Sequence, residues 1–223
     1  MAYYTSEKTI HVSDNRLIMN VQHPIAERIM RQIDADAGGI VAIADLDTLG
    51  SRAALDQALS RLVKQGKVQR VGRGLYAKPT ISGLLGMAVT PPSDAMIQAW
   101  ARKNHLRVVP SEASAANLLG VSTQVPAKLV YYTNGRTRTV RIGPYSVRLL
   151  NRGPGTMDVH GGVSPLIIQA LRYIGRRGLS EEVVDRLRDK LAQRDKAALR
   201  RTARTAVAWM RPVLERLAGK EER

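Results

Sequence analysis

The sequence predicts an α+β protein: an N-terminal winged helix-turn-helix domain, then a mixed α/β C-terminal domain ending in a helical bundle. Three patterns predict this. Residues 24–80 run helix, short helix, tight turn, amphipathic helix and basic hairpin; residues 93–152 alternate short helices with short strands; and from Ser164 onward only helical periods recur.

Residues 1–22 show no sustained period and are expected to form an N-terminal arm. A helix starts at Pro24, since proline suits a first helical turn, and Ile25, Ile29, Ile33 and the nearby Met30 form its apolar stripe. The following "AGG" ends it, "IVAI" reads as a short strand, and "ADLDTL" gives one or two helical turns closed by Gly50. Ser51 is a good N-cap, because its hydroxyl can accept a free backbone N–H. The helix it opens runs to about Gln65, with Gly66 at the C′ position. Leu55, Ala58, Leu59 and Leu62 share one side of that helix; Ala53, Gln57, Ser60 and Lys64 lie opposite, flanked by Arg52, Asp56 and Arg61. "KVQRV", a Gly72-Arg73-Gly74 turn with glycines at positive φ, and "LYAK" then make a hairpin tipped by an arginine.

After Pro79, "TISGLLGMAVTPPSD" is apolar yet rich in glycine and proline, and reads as a linker packed against a domain. "SDAMIQAWARKNH" is a helix capped by Ser93 or Asp94, "LRVVP" a strand, and "SEASAANLLG" a helix stopped by Gly120. "AKLVYYTN" and "RTRTVRIG" flank Asn134-Gly135, a strong hairpin signal, and "YSVRLLNR" adds a third strand after Gly143-Pro144. The helical segments that follow are "SPLIIQALRYIGRRG", "SEEVVDRLRDKLA", "RDKAALRRTART" and "AVAWMRPVLERLAG".

Charge narrows the function. The chain has 35 Lys+Arg against 19 Asp+Glu, a net charge of +16, which attracts polyanions, nucleic acid first. No acidic residue separates Asp56 from Asp94, while Arg61, Lys64, Lys67, Arg70, Arg73 and Lys78 fall there; none separates Glu112 from Asp158, while Lys128, Arg136, Arg138, Arg141, Arg148 and Arg152 do. Single-sign segments of this kind argue for charged faces rather than diffuse basicity. The absence of cysteine fits a reducing cytoplasm, no 18-residue apolar run predicts a membrane span, and the N-terminus lacks the apolar core of a signal peptide.

Winged folds also serve as protein-interaction modules, so charge and not fold favours double-stranded DNA as the partner. On that reading Ser51, Arg52, Gln57, Ser60, Arg61 and Lys64 read or hold the major groove. Lys67, Arg70 and Arg73 form a wing clamp, and Arg136, Arg138, Arg141, Arg148 and Arg152 add a second basic surface. Enzymatic readings fit poorly. Gly72-x-Gly74-x-x-Ala77 is followed by β-like residues and Pro79 rather than the helix a dinucleotide fingerprint needs. A nucleotidyltransferase would need paired carboxylates after Gly50-Ser51; Asp45 and Asp47 precede it and read as a solvated short helix. His11, His23, His105 and His160 show no metal-ligand spacing. No metal, cofactor or catalytic residue is therefore expected. Trp100 and Trp209 read as core residues of amphipathic helices, and Tyr131 and Tyr132 alternate faces of a strand, one packed and the other open.

Three segments, "LGSRAALDQALSRLVKQGKVQRVGRGLYAKP", "PSEASAANLLGVSTQVPAKLVYYTNGRTRTVRIG" and "AWMRPV", resemble the AbiEi family of type IV antitoxins, from about Pro24 to the last helix. The resemblance implies a bacterial or mobile-element protein with a winged helix-turn-helix, here residues 23–80, and, past the linker at 81–92, an antitoxin domain at 93–223 (α/β part 93–157, helical part 163–219). It also implies repression of the protein's own operon through inverted repeats, and indirect opposition to a nucleotidyltransferase toxin. The alternative is a stand-alone DNA-binding regulator whose C-terminal domain binds a protein or RNA partner.

Overall fold

The structure, a computed structural model, describes residues 24–36, 38–81, 86, 88–124, 128–153 and 164–219. The expected arm at residues 1–22, His160, and residues 125–127 of "VSTQVPAK" lie outside the described residues. The fold is mixed α+β.

The first elements are α1 (Ile25–Ala35), β1 (Ile40–Ala42), a 3-10 helix (Ile43–Leu49), α2 (Arg52–Lys64), β2 (Gln69–Gly72) and β3 (Leu75–Ala77). The strands form an antiparallel sheet in the order β1-β3-β2. Pairing of Ile40 with Ala77 and Ala42 with Leu75 puts these four side chains on one face, and pairing of Val41 with Tyr76 puts those two on the other. Each face meets a different core. Val41 and Tyr76 join Ile29, Ile33, Leu46, Leu55, Leu59 and Leu62 under α1 and α2, whereas Ile40, Ala42, Leu75 and Ala77 join Met96, Ile97 and Tyr131. A strand covered on both sides has no polar face, which is why "IVA" is apolar throughout.

Beyond this unit come β4 (Thr80–Ile81), β5 (Ala88–Val89), α3 (Ser93–Lys103), β6 (Val108–Pro110), α4 (Glu112–Leu118), β7 (Leu129–Thr133), β8 (Arg138–Ile142) and β9 (Tyr145–Asn151). The expected linker is partly structured: Thr80 pairs with Val89 and Ile81 with Ala88. Ile81 is 68% and Val89 43% exposed, so these side chains are not packed against a domain as expected. Neither Ser93 nor Asp94 caps α3; Pro92 precedes it, and the Asp94 carboxylate instead accepts the Tyr131 hydroxyl at 2.9 Å.

The second sheet has the order β6-β7-β9-β8, with β7 parallel to β9. The hairpin expected at Asn134-Gly135 is therefore absent, because β9 lies between its two strands. The connection crosses the end of β9, where Asn151 donates its backbone N–H to Thr137 Oγ1 at 2.9 Å and its amide to the Gly135 carbonyl at 2.8 Å. The true hairpin is β8–β9, turning at Gly143-Pro144.

The last elements are α5 (Ser164–Ile174), a 3-10 turn (Arg176–Gly178), α6 (Glu181–Asp189), α7 (Gln193–Thr205) and α8 (Arg211–Ala218). Their core includes Ala115 and Ala116 from α4 and Leu119 at its C-cap, together with Ile167, Leu171, Leu187, Leu199 and Leu214. The expected final helix from Ala206 begins only at Arg211. Pro212 lacks an N–H and is tolerated only in a first turn, which leaves Trp209 in the preceding turn, half-packed against the bundle.

Candidate nucleic-acid interface

Helix α2 is built as the sequence suggests. Ser51 Oγ accepts the Ala54 N–H at 3.3 Å, satisfying one donor that the helix start leaves unpaired. Leu55, Leu59 and Leu62 are 0%, 1% and 3% exposed, which fixes the helix rotation and turns Gln57, Ser60, Arg61 and Lys64 to solvent. Among the described residues, none of these four side chains is engaged in a hydrogen bond or ion pair. Arg52, also exposed, pairs with Asp56 one turn on, Nε to Oδ2 at 3.1 Å. Such an open i,i+4 pair contributes only about 0.3–0.5 kcal/mol, so a phosphate can displace it.

The hairpin presents Lys67, Arg70 and Arg73, all exposed. Its turn differs from expectation, since only Gly74 takes positive φ (70°) while Gly72 is the last residue of β2. A Cβ on Gly74 would also come within 3.1 Å of Lys103 Nζ. That ammonium donates to the Arg73 carbonyl at 2.6 Å, tying the tip to the end of α3. Burial, and then the charges of Arg73, Arg52 and Arg70, hold Lys103 below the ordinary lysine pKa. The cations of the helix start, the hairpin and α3 thus share one field. Lys103 is not among the expected site residues, because at the end of an amphipathic helix a lysine reads as a dipole-compensating charge.

Arg102, its neighbour, is likewise absent from the expected set. Its guanidinium reaches Asp36 Oδ1 at 2.9 Å, Asp45 Oδ2 at 3.3 Å and the Ile40 carbonyl at 2.8 Å. Asp45 also accepts the Ala42 N–H at 2.9 Å. It is a structural joint rather than the solvated charge expected. Lys78, from the basic run, is paired with Asp34 at 2.5 Å.

The second set of arginines does not form one face. Arg136, Arg138, Arg141, Arg148 and Arg152 are all exposed, yet the register separates them. Arg138 is opposite Leu149 and lies on the core side of the sheet, its guanidinium 5.6 Å from the centre of the Trp100 ring. Arg148 pairs with Thr139 and Arg141 with Ser146 on the opposite, outer side. Arg152, past the end of β9, stacks 4.8 Å over the ring of Tyr132. Tyr131 and Tyr132 do face opposite ways, but both are buried, correcting the expected open tyrosine. The Tyr132 hydroxyl donates to Glu112 at the start of α4; burial and then that bond raise its pKa.

Among the described residues there is no group of three or more His, Cys, Asp or Glu suited to a metal ion, and no helix long and apolar enough to cross a membrane. Residues 25–199 match a protein family described as a family of unknown function, DUF6088. No curated protein matches the chain.

Proposed function

The chain belongs to the DUF6088 family, of unknown function, and we propose from its own geometry that it is a double-stranded-DNA-binding transcriptional repressor. Residues 23–80 act as the winged helix-turn-helix. One observation carries the reading: α2 is sealed on its apolar side and offers Gln57, Ser60, Arg61 and Lys64 without partners among the described residues, beside a hairpin tipped by Arg73. The order helix, strand, short helix, helix and hairpin, with β3 between β1 and β2, supports this assignment. A major groove about 12 Å wide admits one such helix, with Gln57 and Ser60 toward base edges and Arg61 and Lys64 toward phosphates. Lys67, Arg70 and Arg73 then hold the flanking backbone.

The antitoxin role rests on the AbiEi-like segments alone. In that role the chain represses its own operon at inverted repeats and opposes a nucleotidyltransferase toxin indirectly, without catalysis of its own. A second reading is favoured by the outer side of β8 and β9, where exposed Lys128, Ser146 and Arg148 border a shallow trough. There the C-terminal half of a stand-alone regulator would hold a protein or RNA partner.

The test is fluorescence anisotropy of the full chain on a duplex covering the region upstream of its reading frame, against a shuffled duplex of equal length. Specific binding tighter by about 10³-fold or more is expected, weakening steeply with salt. Equal affinity for both duplexes removes the repressor reading, and no binding to either removes DNA.

A further inference from the structure

The groove between the hairpin tip, the end of α3 and the β8–β9 turn has no part in reading bases, yet its chemistry is specific. It is lined by Gly72, Arg73, Trp100, Lys103, Asn104 and Arg141. Three cations border it, and among the described residues no carboxylate pairs with any of them. Among the described residues the Arg141 guanidinium has no hydrogen-bond partner, and Lys103 uses one of its three donors on the Arg73 carbonyl. Like charges gathered without a counter-ion are costly unless an external anion completes the site.

The walls are close-set. At Gly143, φ is 56°, and a Cβ would meet the Val71 carbonyl at 2.6 Å and Met96 Cε at 2.5 Å, so only glycine lets the β8–β9 turn lie against β2. Through this approach Arg141, on the outer side of the second sheet, lines the same groove as Arg73 of the first.

We infer that this groove is a phosphate site for the DNA backbone alongside the wing, with Lys103, Arg73 and Arg141 around one phosphodiester and Trp100 beneath the adjoining deoxyribose. The inference rests on the DNA-binding reading above and extends that interface beyond residue 80. A duplex backbone suits the groove better than a free nucleotide, because the one side-chain amide lining it, that of Asn104, already donates to the Trp100 carbonyl at 2.7 Å. Burial first, and then the charge of Arg73, holds the Lys103 pKa below its ordinary value, and the second of these agrees with a missing counter-charge.

Trp100 supplies the reporter. With only two tryptophans in the sequence, Trp209→Phe leaves Trp100 as the single emitter. The full chain carrying that change is titrated with a duplex of about 20 base pairs and, separately, with inorganic phosphate. Trp100 emission should change in step with duplex anisotropy, and phosphate up to about 10 mM should leave it unchanged. Adding Arg141→Gln, an exposed side chain with no partner among the described residues, should lower the salt slope by about 0.9 and weaken binding roughly eightfold at 0.1 M salt, the effect of releasing one phosphate. An unchanged slope in Arg141→Gln, while Arg61→Gln still lowers it, overturns the groove and leaves the DNA reading standing. Saturation by phosphate alone below about 1 mM makes it a free-anion site and overturns the backbone assignment. Failure of the unsubstituted chain to bind any duplex overturns the DNA reading and the groove together.

Discussion

Replacing Arg102 with alanine tests the joint between α3 and the N-terminal unit. The substitution removes the ion pairs to Asp36 and Asp45 and the bond to the Ile40 carbonyl. The Arg102 side chain is 41% exposed and its carboxylate partners 22% and 20%, so solvent screens both pairs and each contributes about 0.5–1 kcal/mol. The bond to Ile40 is charge-assisted and adds about 1.5 kcal/mol. Neither carboxylate is orphaned, because Asp36 keeps the Gly38 and Ile40 N–H groups and Asp45 keeps that of Ala42. The loss should total about 2.5–3.5 kcal/mol, lowering Tm by about 5–14 °C for a chain of this size. Thermal unfolding of the full chain, followed by circular dichroism, measures it. Arg102→Lys, which reaches one carboxylate at a time, should recover about half. A drop of less than about 2 °C for Arg102→Ala would show that apolar packing alone holds the joint.

Three further outcomes follow from the interface. Arg70→Ala with Arg73→Ala should weaken binding to all duplexes alike and lower the salt slope by about 0.9 for each phosphate no longer held, so an unchanged slope removes the wing assignment. Gln57→Ala should alter preference at one base pair by about 1–3 kcal/mol, whereas equal weakening on every sequence would make Gln57 a positioning residue. Lys103 gives a pH signature. Its folded pKa lies below the ordinary lysine value, so its charge opposes folding at neutral pH, and that opposition is relieved as pH rises through the folded value. A phosphate favours the charged form, so duplex affinity should fall over the same rise. After burial, the charges that lower the Lys103 pKa are those of Arg73, Arg52 and Arg70, and Lys103→Met should abolish both trends; persistence of either in that variant assigns it to another group.

Local grammar makes the N-terminal unit legible. The Ser51 cap, the Leu55-Leu59-Leu62 stripe and the Gly66 stop are all set within one helix, and the structure places them as the spacing requires. Non-local pairing is not legible. Asn134-Gly135 carries a genuine turn signal, but whether its flanking strands pair depends on β9, whose parallel register with β7 leaves no mark in either strand. Tyr132 departs from expectation because the open side of an alternating strand can be covered by a distant element, here α4 through Glu112. The basic run at 136–152 is legible as charge but not as geometry, since one residue of register moves an arginine to the other face. Lys103 and Arg102 stay hidden for a related reason: their partners are 30 to 66 residues away in sequence.

The two-faced sheet of the N-terminal unit limits how this protein can be divided. Ile40, Ala42, Leu75 and Ala77 lie at no more than 2% exposure under a cover supplied by residues beyond 93. A fragment cut at residue 81 would leave that face to water as an apolar patch next to an open strand edge, the arrangement from which sheets aggregate. The N-terminal unit is therefore not a portable cassette: recombination could exchange the two halves between relatives only if α3 travelled with the sheet it covers.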